Sequence, residues 1–327
     1  MHAGSSALGA SIPIGGFKDV YDVATVGLAL EELPASANES LRTTYEKMLK
    51  AGGTRFTVKP SGLPAMDALY NELPNFAVVL DDVRRQLALC TSSSDALEIT
   101  PMLLIGDPGI GKTHFGRRLA DLLATGFGFI PMSSMTAGWV LSGASSQWKN
   151  AKPGKVFDAF LSGKYANPVM MVDEIDKAGG DPYHDPLGAL YTLLEHDTAR
   201  GFIDEFVELP IDASGITWIA TANDMSRIPE PILNRMNVYH IEAPDQAGSM
   251  RIALAIYSEI RSGHEWGKRF PEVAAPAVLE AFAGYSPREM RRLILAAFGT
   301  AKLDGRDELH VADIDDSKNA KRARIGF

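Results

Sequence analysis

The sequence predicts an α/β fold: a three-layer αβα domain built on a parallel sheet, followed by a small helical lid domain. Three observations carry that prediction. Short apolar runs recur between helical patterns, at Met102–Ile105, Phe127–Met132, Val169–Val172 and Ile216–Ala220. Strands buried on both faces read as such continuous runs, and their alternation with helices gives a parallel sheet. From about Gln246 onward only helical periods remain. The chain has 327 residues, 46% of them hydrophobic, enough for about two domains with buried cores.

Taken in order, residues 1–38 are rich in Gly, Ala and Ser, with Pro13 and Pro34 as breakers and no clear period. Ser40–Ala51 reads as a helix with Leu41, Tyr45, Met48 and Leu49 on one face, stopped by Gly52-Gly53. Arg55–Lys59 alternates like a short strand and ends at Pro60. Asp81–Leu89 reads as a helix, and Met102–Ile105 as a strand leading through a glycine-rich turn into a helix over 113–124. That helix aligns Phe115, Leu119, Leu122 and Leu123, and Gly126 stops it. After the last apolar run come helical periods at Met250–Arg261, Ala275–Ala283 and Pro287–Ala297. The expected division is an N-terminal extension (1–60) of no assigned role, an αβα domain (61–243) and a helical lid (244–327).

Thirty-two Lys and Arg against 41 Asp and Glu give a net charge of -9, so no global positive field attracts nucleic acid or an anionic membrane. No apolar run approaches the eighteen or so residues of a membrane span, and the start lacks a signal peptide. The expectation is a soluble cytoplasmic protein with no membrane partner. The single cysteine, Cys90, follows Leu87-Ala88-Leu89 and reads as a buried thiol in a reducing compartment.

The strongest motif is Gly106-Asp107-Pro108-Gly109-Ile110-Gly111-Lys112-Thr113, which fits the P-loop pattern GxxxxGK[ST] between a predicted strand and a predicted helix. Phosphate oxygens need several backbone N–H donors at close range, and glycines let the backbone turn that tightly. The helix N-terminus adds partial positive charge. Lys112 would reach the β- and γ-phosphates and the Thr113 hydroxyl would ligate Mg²⁺; with His114 these residues are the predicted ATP site. The second motif, Val169 to Asp176, is an apolar strand ending in acids at the carboxyl edge of the sheet, where open α/β sheets bind ligands. Asp173 would hold Mg²⁺, and Glu174 would orient and polarise the attacking water. The third is Trp218 to Asn223, a strand ending in an amide, followed by Ile228 to Met236, whose prolines would present Arg235 rigidly. Read alone, Asn223 could be a turn residue and Arg235 a surface charge.

Together these stretches resemble the ATPase module of the AAA+ class and, within it, the Lon protease family, over about residues 100 to 295. Pro153-Gly154-Lys155, Val172 to Lys177, Leu193-Leu194-Glu195, Ile219 to Asn223 and Ile228 to Met236 carry the likeness. The resemblance implies that Asn223 lies beside the γ-phosphate as sensor 1, and that Arg235 reaches into a neighbouring subunit's site. It also implies that Arg288, in Gly284 to Leu293, points back at the phosphates from the lid as sensor 2, although Arg288, Arg291 and Arg292 could equally be a solvated basic face. It implies a ring-shaped homo-oligomer, with a hexamer as the expected count. Trp148 falls where the family has a pore-loop tyrosine; Lys149 and Asn150-Ala151-Lys152 depart from the family's pattern.

Lon proteases also carry a Ser–Lys peptidase domain after the lid. This sequence reaches Phe327 soon after the lid pattern and shows no GPSAG-like serine segment, so the expected activity is ATP hydrolysis without proteolysis. The expected role is to remodel or thread a macromolecule, protein before nucleic acid. Lys149 and the basic stretch Lys318–Arg324 speak for a nucleic-acid motor, the net charge against it; a nucleotide-gated switch with little turnover is the remaining alternative. His184, between Asp181 and Asp185, reads as solvated loop rather than metal ligand, and Phe76 and Val78 are candidates for an adenine pocket.

Overall fold

The computed structural model describes residues 13–34, 37–134, 139–148, 150–178 and 185–314. Lys149, His184 and the 318–324 stretch lie outside them. The chain opens with β1 (Pro13–Asp19) and β2 (Thr54–Pro60), an antiparallel pair in register from Pro13 opposite Pro60 to Asp19 opposite Thr54. Helices Val23–Glu32 and Glu39–Ala51 lie between them. Next come β3 (Met102–Ile105), β4 (Phe127–Pro131), β5 (Val169–Asp173), the short hairpin β6 (Phe202–Ile203) and β7 (Pro210–Ile211), β8 (Thr217–Ala222) and β9 (Asn237–His240). Five of these form one sheet in the order β4-β5-β8-β3-β9, every pairing parallel.

Strand alternation divides the sheet's side chains between two cores. Met102 and Leu104 of β3, with Val169, Met171 and Ile219, meet helices Ala77–Thr91 and Lys112–Leu123 on one face. Leu103 and Ile105, with Met170, Val172 and Trp218, pack on the other face against Phe157 and Phe160 of helix Lys155–Ser162. The three predicted layers are present. A third cluster, built on Ile252, Tyr257, Phe270, Phe282 and Phe298, joins the helices Gln246–Gly263, Pro276–Ala281 and Pro287–Leu303. Ser286 and Glu289 open the last of these with a reciprocal capping box.

The N-terminal segment holds more structure than its sequence announces. Gly15-Gly16 interrupts the alternation of β1, and helix Val23–Glu32 buries only Val26, so neither leaves a periodic signal. Nor does the segment stand apart: Val20, Tyr45 and Met48 join the same core as Phe157 and Trp218. Arg55, only 6% exposed, donates Nε to the Phe160 carbonyl (2.7 Å) and Nη1 to the carbonyls of Gly52 and Thr54. Within β2, Phe56 bridges in parallel to Tyr165, and Asn167 exchanges hydrogen bonds with the Val58 backbone. Strand β9 also escaped sequence reading, because its side chains are half-buried or exposed rather than apolar throughout. Cys90 is buried as expected, its Sγ donating to the Leu87 carbonyl, and burial pushes its thiol up. No helix among the described residues is long and apolar enough to cross a membrane.

Candidate functional site

Sheet order places the three motifs side by side, since β5, β8 and β3 are neighbours and end at one edge. Gly106 leaves β3 with its N–H on the Ala222 carbonyl (3.2 Å), and a Cβ there would stand 2.4 Å from the Ile241 carbonyl oxygen. Only glycine fits. Asp107 and Pro108 are both exposed, and Ile110 is buried. Gly109 and Gly111 take φ of +86° and +108°, left-handed values that turn the chain into helix Lys112–Leu123. That helix has no side-chain cap, so the N–H groups of its first turn, which includes Thr113 and His114, form an anion cradle.

Lys112 is 8% exposed, and its Nζ donates to the carbonyls of Gly106, Asp107 (3.3 Å) and Ala222 (3.3 Å) and to Asn223 Oδ1 (2.9 Å). Burial holds its ammonium below the ordinary value, opposed by the nearby carboxylates of Asp173, Asp176, Asp107 and Glu174. Two predicted residues, Lys112 and Asn223, are thus in direct contact. The His114 side chain instead turns to Glu72 (2.6 Å), which Arg118 also binds.

At the end of β5 the buried Thr221 hydroxyl donates to Asp173 Oδ1 (2.7 Å) and accepts from the Glu174 N–H (2.9 Å), tying both acids to β8. Glu174 has φ of +57°, a strained value for a non-glycine residue, which the surrounding bonds maintain. Hydrogen bonds from Lys177 and Ser133 hold its carboxyl below the ordinary value, so it is ionised at neutral pH. Asp176 accepts from the N–H groups of Asn223 (3.3 Å) and Asp224 (3.2 Å) through Oδ2, fixing the turn that presents Asn223. Sequence reading passed over Thr221, Ser133 and Asp176, since a threonine inside an apolar strand or a third acid after two carries no pattern of its own.

A Cβ at Gly109 would lie 3.5 Å from both Arg288 Cβ and Ser286 Oγ, so the start of helix Pro287–Leu303 sits on the glycine loop and Arg288 with it. Arg291 is engaged elsewhere, in a two-bond pair with Glu259. Arg235 does not join the cluster around Lys112. Its Nε lies 2.7 Å from Glu195 Oε1 and its Nη1 donates to the Pro231 carbonyl (2.6 Å). Phe76 is fully buried, stacked on Phe115 at 5.1 Å, and Val78 is 69% exposed. Asn75 lies just before Phe76. Its Nδ2 donates to the Ile110 and Glu242 carbonyls (3.3 Å each), and its buried Oδ1 has no partner among the described residues.

Trp148 lies on a loop closed by the Ala144 N–H to Lys152 carbonyl bond (3.1 Å). The fully buried Asp204 anchors that loop, accepting from Gly154 N–H (2.7 Å) through Oδ2 and from the Phe206 and Val207 N–H groups through Oδ1. Burial pushes the Asp204 carboxyl up to about 6.

Residues 102–242 match the model of the ATPase family associated with various cellular activities (AAA). Among curated proteins, the chain is 30% identical to a Lon protease of Chlamydia pneumoniae over 195 residues, 57% of this chain and 24% of that protein. It is 34% identical to a mitochondrial Lon protease homolog of Schizosaccharomyces pombe over 152 residues, 46% of this chain and 14% of that protein. The matches thus span a quarter or less of either relative's length. Among solved structures, a mutant of RuvB from Thermotoga maritima aligns at 14% identity with a TM-score of 0.49, covering 82% of this chain and 74% of that one. The glycine loop, the acids of β5 and the amide after β8 all fall within the matched span: residues 102–242 are an AAA ATPase domain, partly similar to the ATPase region of Lon proteases.

Proposed function

We propose that this chain hydrolyses Mg-ATP at subunit interfaces of a ring and uses the cycle to remodel or thread a polypeptide. The observation that carries the reading is the contact of Lys112 with Asn223 beside the Thr221-tied pair Asp173 and Glu174. The residues suit the ligand. The uncapped first turn and a buried ammonium already bound to oxygens match a polyphosphate. The buried, unpartnered Asn75 Oδ1 matches a base bearing an amino donor. Thr113 and Asp173 would hold Mg²⁺ together with phosphate oxygens, the usual arrangement for that ion, and the metal would neutralise charge building on those oxygens.

In this reading Glu174, kept ionised by Lys177 and Ser133, accepts hydrogen bonding from the attacking water and aims it. Asn223 shares in positioning that water and reads the terminal phosphate. Arg288 closes the site from the lid, residues 244–327, onto the 61–243 domain. Arg235 acts on the neighbouring subunit's nucleotide, and the Trp148 loop touches the polypeptide. Glu174→Gln should bind ATP with little change and lose turnover by a factor of about 10² or more. Normal turnover in that variant would remove Glu174 from the role and the reading with it.

A further inference from the structure

Trp148 and Trp139, 45% and 39% exposed, meet edge to face with ring centroids 5.4 Å apart. Both line a cavity of about 650 Å³ that is also lined by Glu205, Asp185 and the exposed side chain of Ile203. The walls are built rather than incidental. The Glu205 N–H donates to the Ser142 carbonyl (2.6 Å), and the Ser142 hydroxyl donates to Glu205 Oε1 (3.2 Å). Asp185 Oδ1 accepts from the Leu187 N–H (2.9 Å), and Asp204 clamps the tryptophan loop to the strand-end segment bearing Glu205. Among the described residues, no cation lies within ion-pair distance of Glu205 or Asp185.

We propose that this cavity is a subsite for cationic side chains, Arg or Lys, of an extended polypeptide. The inference rests on the polypeptide reading above and gives it a substrate class. An arginine or lysine stem lies well along apolar surface while its head seeks water or charge. Indole faces attract that head, and the carboxylates lining the same cavity complete the pairing. The same carboxylates repel the phosphates of a nucleic acid, so the cavity selects between the two kinds of polymer.

The test uses the full chain bearing Glu174→Gln, loaded with ATP, and fluorescence anisotropy of three probes. These are an unstructured Gly/Ser peptide with spaced arginines, its counterpart with the uncharged isostere citrulline, and a single-stranded oligonucleotide. The arginine peptide should bind about tenfold or more tightly than the citrulline one, the oligonucleotide more weakly than both. Glu205→Gln with Asp185→Asn, which preserve shape, should remove the arginine preference while citrulline binding stays within about twofold. Trp148→Ala should weaken both peptides. Equal binding of the two peptides, or a preference that survives the double substitution, overturns this subsite alone. Binding of neither peptide, or a preference for the oligonucleotide, overturns the polypeptide reading as well.

Discussion

Asp204 offers the sharpest quantitative test, because one buried carboxyl anchors a loop and titrates in an accessible range. Asp204→Asn keeps the volume and one acceptor oxygen for Phe206 and Val207, but sets an NH₂ group against the Gly154 N–H. That leaves a buried donor unpaired, at a cost of about 1–3 kcal/mol. The pH dependence comes from the carboxyl itself. It moves from 3.8 to about 6 on folding because burial disfavours its charge. The native carboxyl therefore holds its proton more tightly than the unfolded chain does. The associated stability is fully present below pH 3.8 and is lost as pH rises through 6. At about 1.4 kcal/mol per pH unit, the swing is about 3 kcal/mol. Urea unfolding followed by circular dichroism, for wild type and Asp204→Asn between pH 4.5 and 7.5, isolates it as the difference between the two proteins. The wild type's advantage should shrink by most of that amount toward pH 7.5. A constant difference, or one that widens with pH, would refute the argument.

Three further outcomes are expected. Thr221→Val removes the hydroxyl that joins Asp173 to the Glu174 backbone; turnover should fall about tenfold or more while urea stability drops by about 1–3 kcal/mol, measured on the same preparation. Arg235→Ala should abolish any rise in specific ATPase activity with protein concentration, by a factor of up to about 10³, and mixing with Glu174→Gln subunits should restore it. Arg55→Met should cost about 2–4 kcal/mol, because the carbonyls of Phe160, Gly52 and Thr54 lose a buried charged donor, and limited proteolysis should then cut between 13 and 60 first.

The parts of the molecule legible in its sequence are those whose physics is local. Gly111 and Lys112 announce themselves because only one backbone geometry at one spacing does their work, and Leu103 to Ile105 because a doubly covered strand has no polar side to show. Helices such as Glu39–Ala51 agree with their 3.6-residue pattern to within a residue or two. Arg235 was legible as a presented arginine, yet nothing in its own segment says that Glu195, forty residues earlier, holds it. Asp204 likewise reads as one acid among 41, and its value arises from three N–H groups that converge only in the fold. The stretch 13–32, β1 and the helix after it, is the largest omission, since its order derives from partners far along the chain, such as Asp212 for Lys18, rather than from any period within it.

Lys18 pairs with Asp212 and Ser214, Tyr45 with the Val207 carbonyl, and Arg55 with that of Phe160. Residues 13–60 leave the ribosome long before these partners exist; at typical elongation rates the wait is on the order of ten to forty seconds. During it, Val20, Tyr45 and Met48, which the folded protein buries in one core with Phe157 and Trp218, have no docking surface yet made. The nascent chain thus exposes an association-prone stretch well before the segments that cover it, and whatever shelters that stretch in the interval helps decide the yield of folded protein.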